Sequence, residues 1–462
     1  MKTFKKILIA NRGEIAVRII RTCRDMGIQT AAVYSQADAD ALHVKLADEA
    51  HDIGPAEALQ SYLNIEKVLD TAERCGADAI HPGYGFLSEN PEFAEMAESR
   101  GITFIGPSSS CIYKAKPKNR ARQMMKMLNI PVTPGSDEEI TDTGSQGLKK
   151  AREIAAEIGY PVVVKPSGAG GGIGITRAIN QDELDKAVEL ASTRGRKAFG
   201  LSGFYIEKWL TGVKHVEFQV LADKFGHVVH LGDRDCSVQR RFQKLIEVAP
   251  CSLLPSFLRM KMGAAAIDVA MTLDYVGALT VEFFYIPGNG LKFYFNEINS
   301  RLQVEHGITE LVTDFDLVKE QIKIAAGNPL GIKQDDIRMQ RYAIECRINA
   351  EDPVRFIPSP GTIKKLYLPL GPGIRIDEGI YEGYSVPYQY DSLLMKLMSW
   401  GKTRDDAIAR MKRALGEMRI EGVKTTVPLH RVVLEDEDFV SGKYTTELLC
   451  KKDILEKVMG RK

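Results

Sequence analysis

The chain of 462 residues has no CxxC pair among its seven cysteines, no HExxH among its eight histidines, no GxGxxG and no GxxxxGK[ST]. Odd in number and scattered, the cysteines read as free thiols of a reducing compartment, which argues against a disulfide framework or a structural zinc site. The close pair His227 and His230 sits in an alternating strand pattern, which favours a structural role over metal binding. Lacking GxGxxG after its first apolar run, the chain is a poor match to a dinucleotide-binding Rossmann unit. No apolar run reaches the roughly 18 residues of a membrane span. The opening "MKTFKKILIANRGE" has basic residues and then a run of only four apolar ones before Asn11, too short for a signal-peptide core. Charge is balanced too, 62 Lys plus Arg against 61 Asp plus Glu, so no bulk field draws the chain to nucleic acid or a membrane surface. The expectation is a cytoplasmic protein whose partners are chosen by local sites.

What is present is a succession of short apolar runs and amphipathic stretches, and the length suggests about three domains. In the first hundred residues "KKILIA", "QTAAVYS", "ADAIH" and "ITFIG" alternate with helical patterns, one from Glu14 to Met26 and one opened by Asn90 and Pro91 as N-cap and first turn. That alternation predicts a doubly wound parallel sheet. After the polar stretch 133–147 comes a small α+β unit, "YPVVVKP", a glycine loop, a helix from Gln181 and "GFYIEKWL". Antiparallel-looking strands follow, then a helix near 257–272 and a hairpin around "PGNG". Pro358–Gly361 marks a further break before a C-terminal mix of short strands and the helix "TRDDAIARMKRAL".

The glycine loop is "KPSGAGGGIG", 165–174. Its lysine leads the glycines and "IGITRA" continues as a strand, so it reads as a flap between strands whose backbone N–H groups approach phosphate oxygens. In the hairpin, pairing Ile286 with Leu291 sets Glu282 opposite Phe295 and brings Glu297 to the same face on the diagonal. Two carboxylates facing one way, with Asn299 beside them, suit a divalent cation that also holds nucleotide phosphates. In "SRLQVEH", Arg301, Gln303 and Glu305 alternate, a fork for a small oxyanion next to a group able to take its proton. Arg240, Arg241 and Lys244 in "DCSVQRRFQK", with Lys165, supply the cations that phosphoryl transfer needs.

"IANRGEIAVRIIR", "HPGYGFLSEN", "RDCSVQRRFQK", "NEINSRLQVEH", "ECRINAEDP" and "YDSLLMKL" stand in one order over about residues 4–447. In these motifs the chain resembles the biotin carboxylases of the ATP-grasp superfamily. The resemblance implies an N-terminal α/β domain (1–114), an ATP-grasp domain (115–330) with a mobile lid at about 133–205, a C-terminal mixed α+β domain (331–447) and a tail (448–462). It implies MgATP-driven (or Mn²⁺-driven) phosphorylation of bicarbonate to carboxyphosphate, which delivers CO₂ to biotin on a carrier protein. Lys118, Lys165, Gly170, Gly171, Gly172, Glu207, Lys208, Leu210, His215 and Gln239 would then contact ATP, and Glu282, Glu297 and Asn299 the metal. Lys244, Arg301, Gln303 and Val304 would hold bicarbonate, Glu305 would deprotonate it, and Arg347 would stabilise the biotin enolate. The biotin carboxyl carrier protein and the carboxyltransferase would be separate subunits, as in acetyl-CoA carboxylase or the pyruvate carboxylases built from several chains, and a homodimer is usual in the family.

The chain departs from that family at four places. "KAKPK" (114–118) replaces a Met-Gly-Asp-Lys or Met-Gly-Ser-Lys turn. Phe242 stands where a polar residue is common, Gly307-Ile308 replaces Pro-Val or Thr-Val, and Ile173 replaces an arginine found in many members. Losing that cation predicts weaker ATP affinity or looser lid closure. Lys261 lies in a Met-Lys-Met triplet like that of biotin-accepting lysines, but in an Ala-rich helical pattern, so biotin is expected as a substrate and not attached here. Two other readings stay open at this point: another ATP-grasp ligase with an acyl-phosphate intermediate, and a nucleotide-binding scaffold protein without turnover. The final acceptor, whether acetyl-CoA, propionyl-CoA, pyruvate or 2-oxoglutarate, is set by the carboxyltransferase.

Overall fold

The structure, a computed structural model, describes residues 2–115, 118–166, 174–199, 203–288 and 292–460; within helices, the side chains of 118–119 and 194–199 lie outside the description. Five short strands, β1 (Lys6–Ile9), β2 (Gln29–Tyr34), β3 (Glu49–Asp52), β4 (Ala79–His81) and β5 (Thr103–Phe104), form a parallel sheet in the order β3-β2-β1-β4-β5. Ile7, Leu8, Ile9 and Ile80 are fully buried, as near-continuous apolar strands covered on both faces should be. Helix Pro91–Ser99 starts where predicted: the Asn90 side chain accepts from the Phe93 N–H, a cap worth about 1 kcal/mol. Strand order reverses between β1 and β4, and the loops after their C-terminal ends, 11–15 and 84–86, face the main cavity of the molecule.

A three-stranded antiparallel sheet follows, β6 (Val162–Pro166), β7 (Thr176–Ala178) and β8 (Phe204–Lys208), in the order β7-β6-β8. It packs on helices Ser145–Ile158 and Gln181–Phe199 through Val162, Val164, Phe204, Ile206 and Leu184. The glycine loop at 167–173, with Gly170, Gly171, Gly172 and Ile173, falls outside the described residues.

Eight of the remaining strands share one antiparallel sheet. β9 (Lys214–Ala222), β10 (Val228–Arg240), β11 (Gln243–Ala249), β12 (Gly277–Tyr285), β13 (Phe293–Asn299) and β14 (Tyr342–Asn349) join the strands Leu393–Gly401 and Ile374–Glu378 in the order β13-β12-β9-β10-β11-β14, then 393–401, then 374–378. The sheet crosses residue 331 without a break, because β14 pairs directly with β11. The expected tail is no loose end. Helix Lys452–Gly460 buries Ile454 and Val458 in the C-terminal core, and Thr446 N–H donates to the Val213 carbonyl. Lys261 lies inside helix Ser256–Thr272.

Candidate active site

Between the parallel sheet, the small sheet and the large sheet lies a cavity of about 1350 Å³. A single small-molecule site usually occupies roughly 300–1,000 Å³, so this one has room for more than one ligand. Of the site residues nominated from the sequence whose side chains are described, all line it except Glu305. Lys118 opens helix Lys118–Met127, but its side chain, like Gly170–Gly172, is outside the description.

The hairpin brings its carboxylates together more directly than the assumed turn predicted. Ile286 N–H donates to the Lys292 carbonyl, one residue later than expected, and a register shift beyond Phe283 puts Glu282 squarely opposite Glu297. The shift leaves Asn296 as the extra residue of a β-bulge, a device that re-aims side chains. Its amide donates to Glu282 Oε2 at 3.2 Å. Nothing in the alternating pattern of "KFYFNEIN" announces that bulge, so the register and Asn296 were both missed.

Glu282 is 2% exposed and gathers donors: His215 Nε2 at 2.7 Å, Lys244 Nζ at 2.8 Å, and the amides of Asn299 at 3.0 Å and Gln303 at 3.4 Å. Burial alone would raise its pKa, but Lys244 and His215 hold it far below the usual carboxylate range. Gln239 gives one amide proton to the Cys236 carbonyl and faces His215 Nδ1 at 2.6 Å, which leaves the imidazole hydrogen on Nε2, toward Glu282. The donor set fits a hard cation. Glu282 and Glu297 supply carboxylate oxygens, and each amide around Glu282 has an oxygen to present after rotating its terminal bond.

Lys244 also reaches Glu217 Oε2 at 2.5 Å and Glu305 Oε1 at 2.7 Å. Burial would lower this ammonium's pKa; the three carboxylates keep it well above its ordinary value, so it stays charged. Glu305 precedes helix His306–Thr313 and is 0% exposed, behind the cavity wall. Its other oxygen takes Arg347 Nη2 at 2.9 Å, while Arg347 Nε bonds Glu247 Oε1 at 2.7 Å. Against the effect of burial, Lys244, Arg347 and Arg234 hold the Glu305 carboxyl well below the usual range. Arg301 is fixed by Glu89 at 3.1 Å, Gln303 Oε1 at 3.0 Å and Asn299 Oδ1 at 3.1 Å. Val304 presents its carbonyl to Lys396 Nζ at 3.0 Å.

Toward the small sheet, Lys165 pairs with Glu207, and Leu210 lines the wall. Lys208 differs from expectation: its ammonium bonds the carbonyls of Gly159 and Tyr160, both at 2.9 Å, bracing the turn before β6 rather than reaching into the cavity. Arg240 lies over the Phe356 ring at 3.9 Å. Arg241 and Phe242 form the two-residue turn from β10 to β11 with φ of +51° and +67°. Such a turn requires positive φ at both positions and normally selects Asn-Gly, so two large side chains there store strain at the cavity rim. The Phe242 ring meets Trp209 edge-on at 6.3 Å.

Several supporting residues escaped the sequence reading. Arg234, wholly buried, bonds Glu217 at 2.6 Å, Gln219 at 2.9 Å and Thr309 at 2.8 Å, and so ties β9, β10 and the helix after Glu305 into one frame. Alternating charged residues in "KHVEFQVLAD" and "RDC" were the available signal. That signal shows only once the sheet is seen to be covered on both faces.

Three family models cover nearly the whole chain: Biotin carboxylase, N-terminal domain at 3–112; Carbamoyl-phosphate synthase L chain, ATP binding domain at 117–333; and Biotin carboxylase C-terminal domain at 345–451. The chain is 52% identical over 452 residues to biotin carboxylase 1 of Bacillus subtilis, covering 98% of this chain and 99% of that one. It is 48% identical over 447 residues to the 2-oxoglutarate carboxylase small subunit of Hydrogenobacter thermophilus, covering 96% and 93%. A crystal structure of the biotin carboxylase domain dimer of that Hydrogenobacter thermophilus enzyme, in complex with MgADP, ADP and bicarbonate, superposes with a TM-score of 0.94 at 47% identity, covering 98% and 99%.

Proposed function

The chain belongs to the biotin carboxylase family, and from that premise we propose that it uses ATP and bicarbonate to carboxylate biotin on a carrier protein, through carboxyphosphate, releasing ADP and phosphate. The observation that carries the reading is the row Lys244–Glu305–Arg347, with Arg301 and Gln303 beside it on the cavity wall. Arg301 and Lys244 draw in bicarbonate, which competes with the carboxylates for them. As it takes over Lys244, Glu305 loses the charge that depresses its pKa most and becomes able to accept the bicarbonate proton. The deprotonated oxygen attacks the γ-phosphorus and the bond to ADP breaks. Arg347, released in turn from Glu305, faces the charge that develops on the biotin ureido oxygen.

Lys165, Glu207, Leu210, His215, Gln239 and the backbone of Lys208 frame the nucleotide; Lys118 and Gly170–Gly172 join them on the sequence resemblance, since that side chain and that loop lie outside the described residues. Glu282, Glu297 and Asn299 would hold Mg²⁺ or Mn²⁺, which neutralises phosphate charge when bound. Of the three matching family models only the middle one carries a carbamoyl-phosphate synthase name, and the flanking two favour biotin carboxylation over that alternative. No helix among the described residues is long and apolar enough to cross a membrane. We place the protein in the cytoplasm as a homodimer, working with separate carrier and carboxyltransferase subunits.

The test is to supply ¹³C-bicarbonate, MgATP and free biotin and look for labelled carboxybiotin. Labelled product is expected; ATP consumption that labels no biotin would contradict the reading.

A further inference from the structure

Beneath Arg347 the register of β11 and β14 sets Glu247 directly opposite Glu345, on one face of the sheet. Both residues are 0% exposed. Glu247 Oε1 receives Arg347, but Glu247 Oε2 and both oxygens of Glu345 accept no hydrogen bond from any described group. Met398 lies opposite Glu345 on strand Leu393–Gly401, and on helix His306–Thr313 a Cβ added to Gly307 would stand 3.7 Å from Glu345 Oε2 and 2.5 Å from Met398 Sδ.

Among the described residues, the charged and titratable groups that act on this pair are Cys236 from β10, Lys244 from β11, Cys346 and Arg347 from β14 itself, Lys396 from strand Leu393–Gly401, and Glu305 at the helix start, with His306 next to it in the chain. Lys396 is engaged elsewhere, with Val304, with Glu14 at 3.1 Å and with Asp377 at 3.7 Å. Burial keeps His306 neutral, with its pKa pushed down to about 3. Two ionised carboxylates in such a box repel and lack solvation; one proton between them removes both costs.

We propose that Glu345 is a carboxylic acid held neutral, sharing its proton with Glu247, and that this pair positions Arg347 so that its second nitrogen is aimed at Glu305. The inference rests on the roles just given to Arg347 and Glu305. With the proton in place, the floor beneath Arg347 carries one negative charge, which Arg347 meets with Nε and with one side of Nη2, both 2.7 Å from Glu247 Oε1, while Nη2 still reaches Glu305 at 2.9 Å. A second negative charge would pull the guanidinium down toward the sheet. Burial first, then the Glu247 charge, raises Glu345 well above the ordinary carboxyl range, and burial pushes Glu247 up to about 7.

The experiment compares Glu345→Gln and Glu345→Ala with the parent, over pH 6–9.5, in biotin-stimulated, bicarbonate-dependent ATP hydrolysis. The parent is expected to lose rate at the alkaline end. Glu345→Gln, whose amide donates in place of the acid and cannot ionise, should keep the pH 7.5 rate within about three-fold and lose that alkaline fall. Glu345→Ala should lose about ten-fold or more with the Michaelis constant for ATP unchanged. An unchanged alkaline limb in Glu345→Gln, or a loss equal to that of Glu345→Ala at every pH, would overturn the proposal. Infrared spectroscopy reads the proton independently of turnover. A protonated-carboxyl stretch at pH 7.5 in the parent that vanishes in Glu345→Gln is expected, and its absence from the parent overturns the proposal even if the enzyme proves inactive on biotin.

Discussion

Lys244 Nζ stands 2.7 Å from Glu305 Oε1 and 2.8 Å from Glu282 Oε1, so one ammonium joins the proposed base to the proposed metal-binding carboxylate. Lys244→Met would leave these two and Glu217 buried with a cation missing. Removing one partner of a buried ion pair costs about 3–5 kcal/mol. Urea unfolding should show a clear drop in midpoint, together with a rate loss of at least about 100-fold. An unchanged midpoint would show that the three carboxylates do not depend on this cation.

Gly307 and Met398 form a matched pair. A Cβ at 307 would come 2.5 Å from Met398 Sδ, so the glycine is what admits the long side chain. Proline at this first-turn position suits the helix itself, and Gly307 N–H makes no backbone bond among those described. Gly307→Pro is therefore expected to destabilise by about 1–3 kcal/mol through crowding. Met398→Val in the same chain should recover most of that. Full additivity of the two changes in thermal unfolding would contradict the pairing.

The buried acid pair also puts a sign on stability against pH. Unfolded, both carboxyls ionise near about 4.3; folded, burial raises Glu247 to about 7, and burial with the Glu247 charge holds Glu345 well above the ordinary carboxyl range. The native chain thus holds protons that the unfolded chain has released. Their contribution is complete below the unfolded value and is lost as pH climbs through about 7. Glu345→Gln should flatten the fall in melting temperature between pH 5 and 8, and an equally steep fall would count against a raised Glu345.

Much of this site was legible in the sequence because its chemistry is local. Arg301, Gln303 and Glu305 fall in one short stretch, and Glu282 and Glu297 flank one turn, so spacing put them close together, although Glu305 ends behind the wall that Arg301 and Gln303 line. Asn296 was not legible, since a bulge depends on cross-strand fit rather than residue type. Glu247 and Glu345 were invisible for another reason. They lie a hundred residues apart, and only the β11–β14 pairing, which also carries the large sheet past the expected domain boundary, makes them neighbours. Likewise "LLC" at 448–450 reads as tail until the helix after it is seen to bury Ile454 and Val458.

Ile173 belongs to the sequence account alone. If its side chain stands where relatives place an arginine near phosphate, Ile173→Arg adds one charge-assisted contact and should lower the Michaelis constant for ATP by roughly three- to ten-fold. No change would remove this position from nucleotide binding.

Glu305, buried and clamped by Lys244 and Arg347, is the proposed acceptor of the bicarbonate proton. That role is tested most directly by ADP release with Mg²⁺ present, with and without bicarbonate and free biotin, in the parent and in Glu305→Gln. Bicarbonate-dependent, biotin-stimulated release is expected in the parent, and a loss of about 10²–10⁴-fold in the variant with nucleotide affinity nearly intact. Full activity in Glu305→Gln would contradict that role.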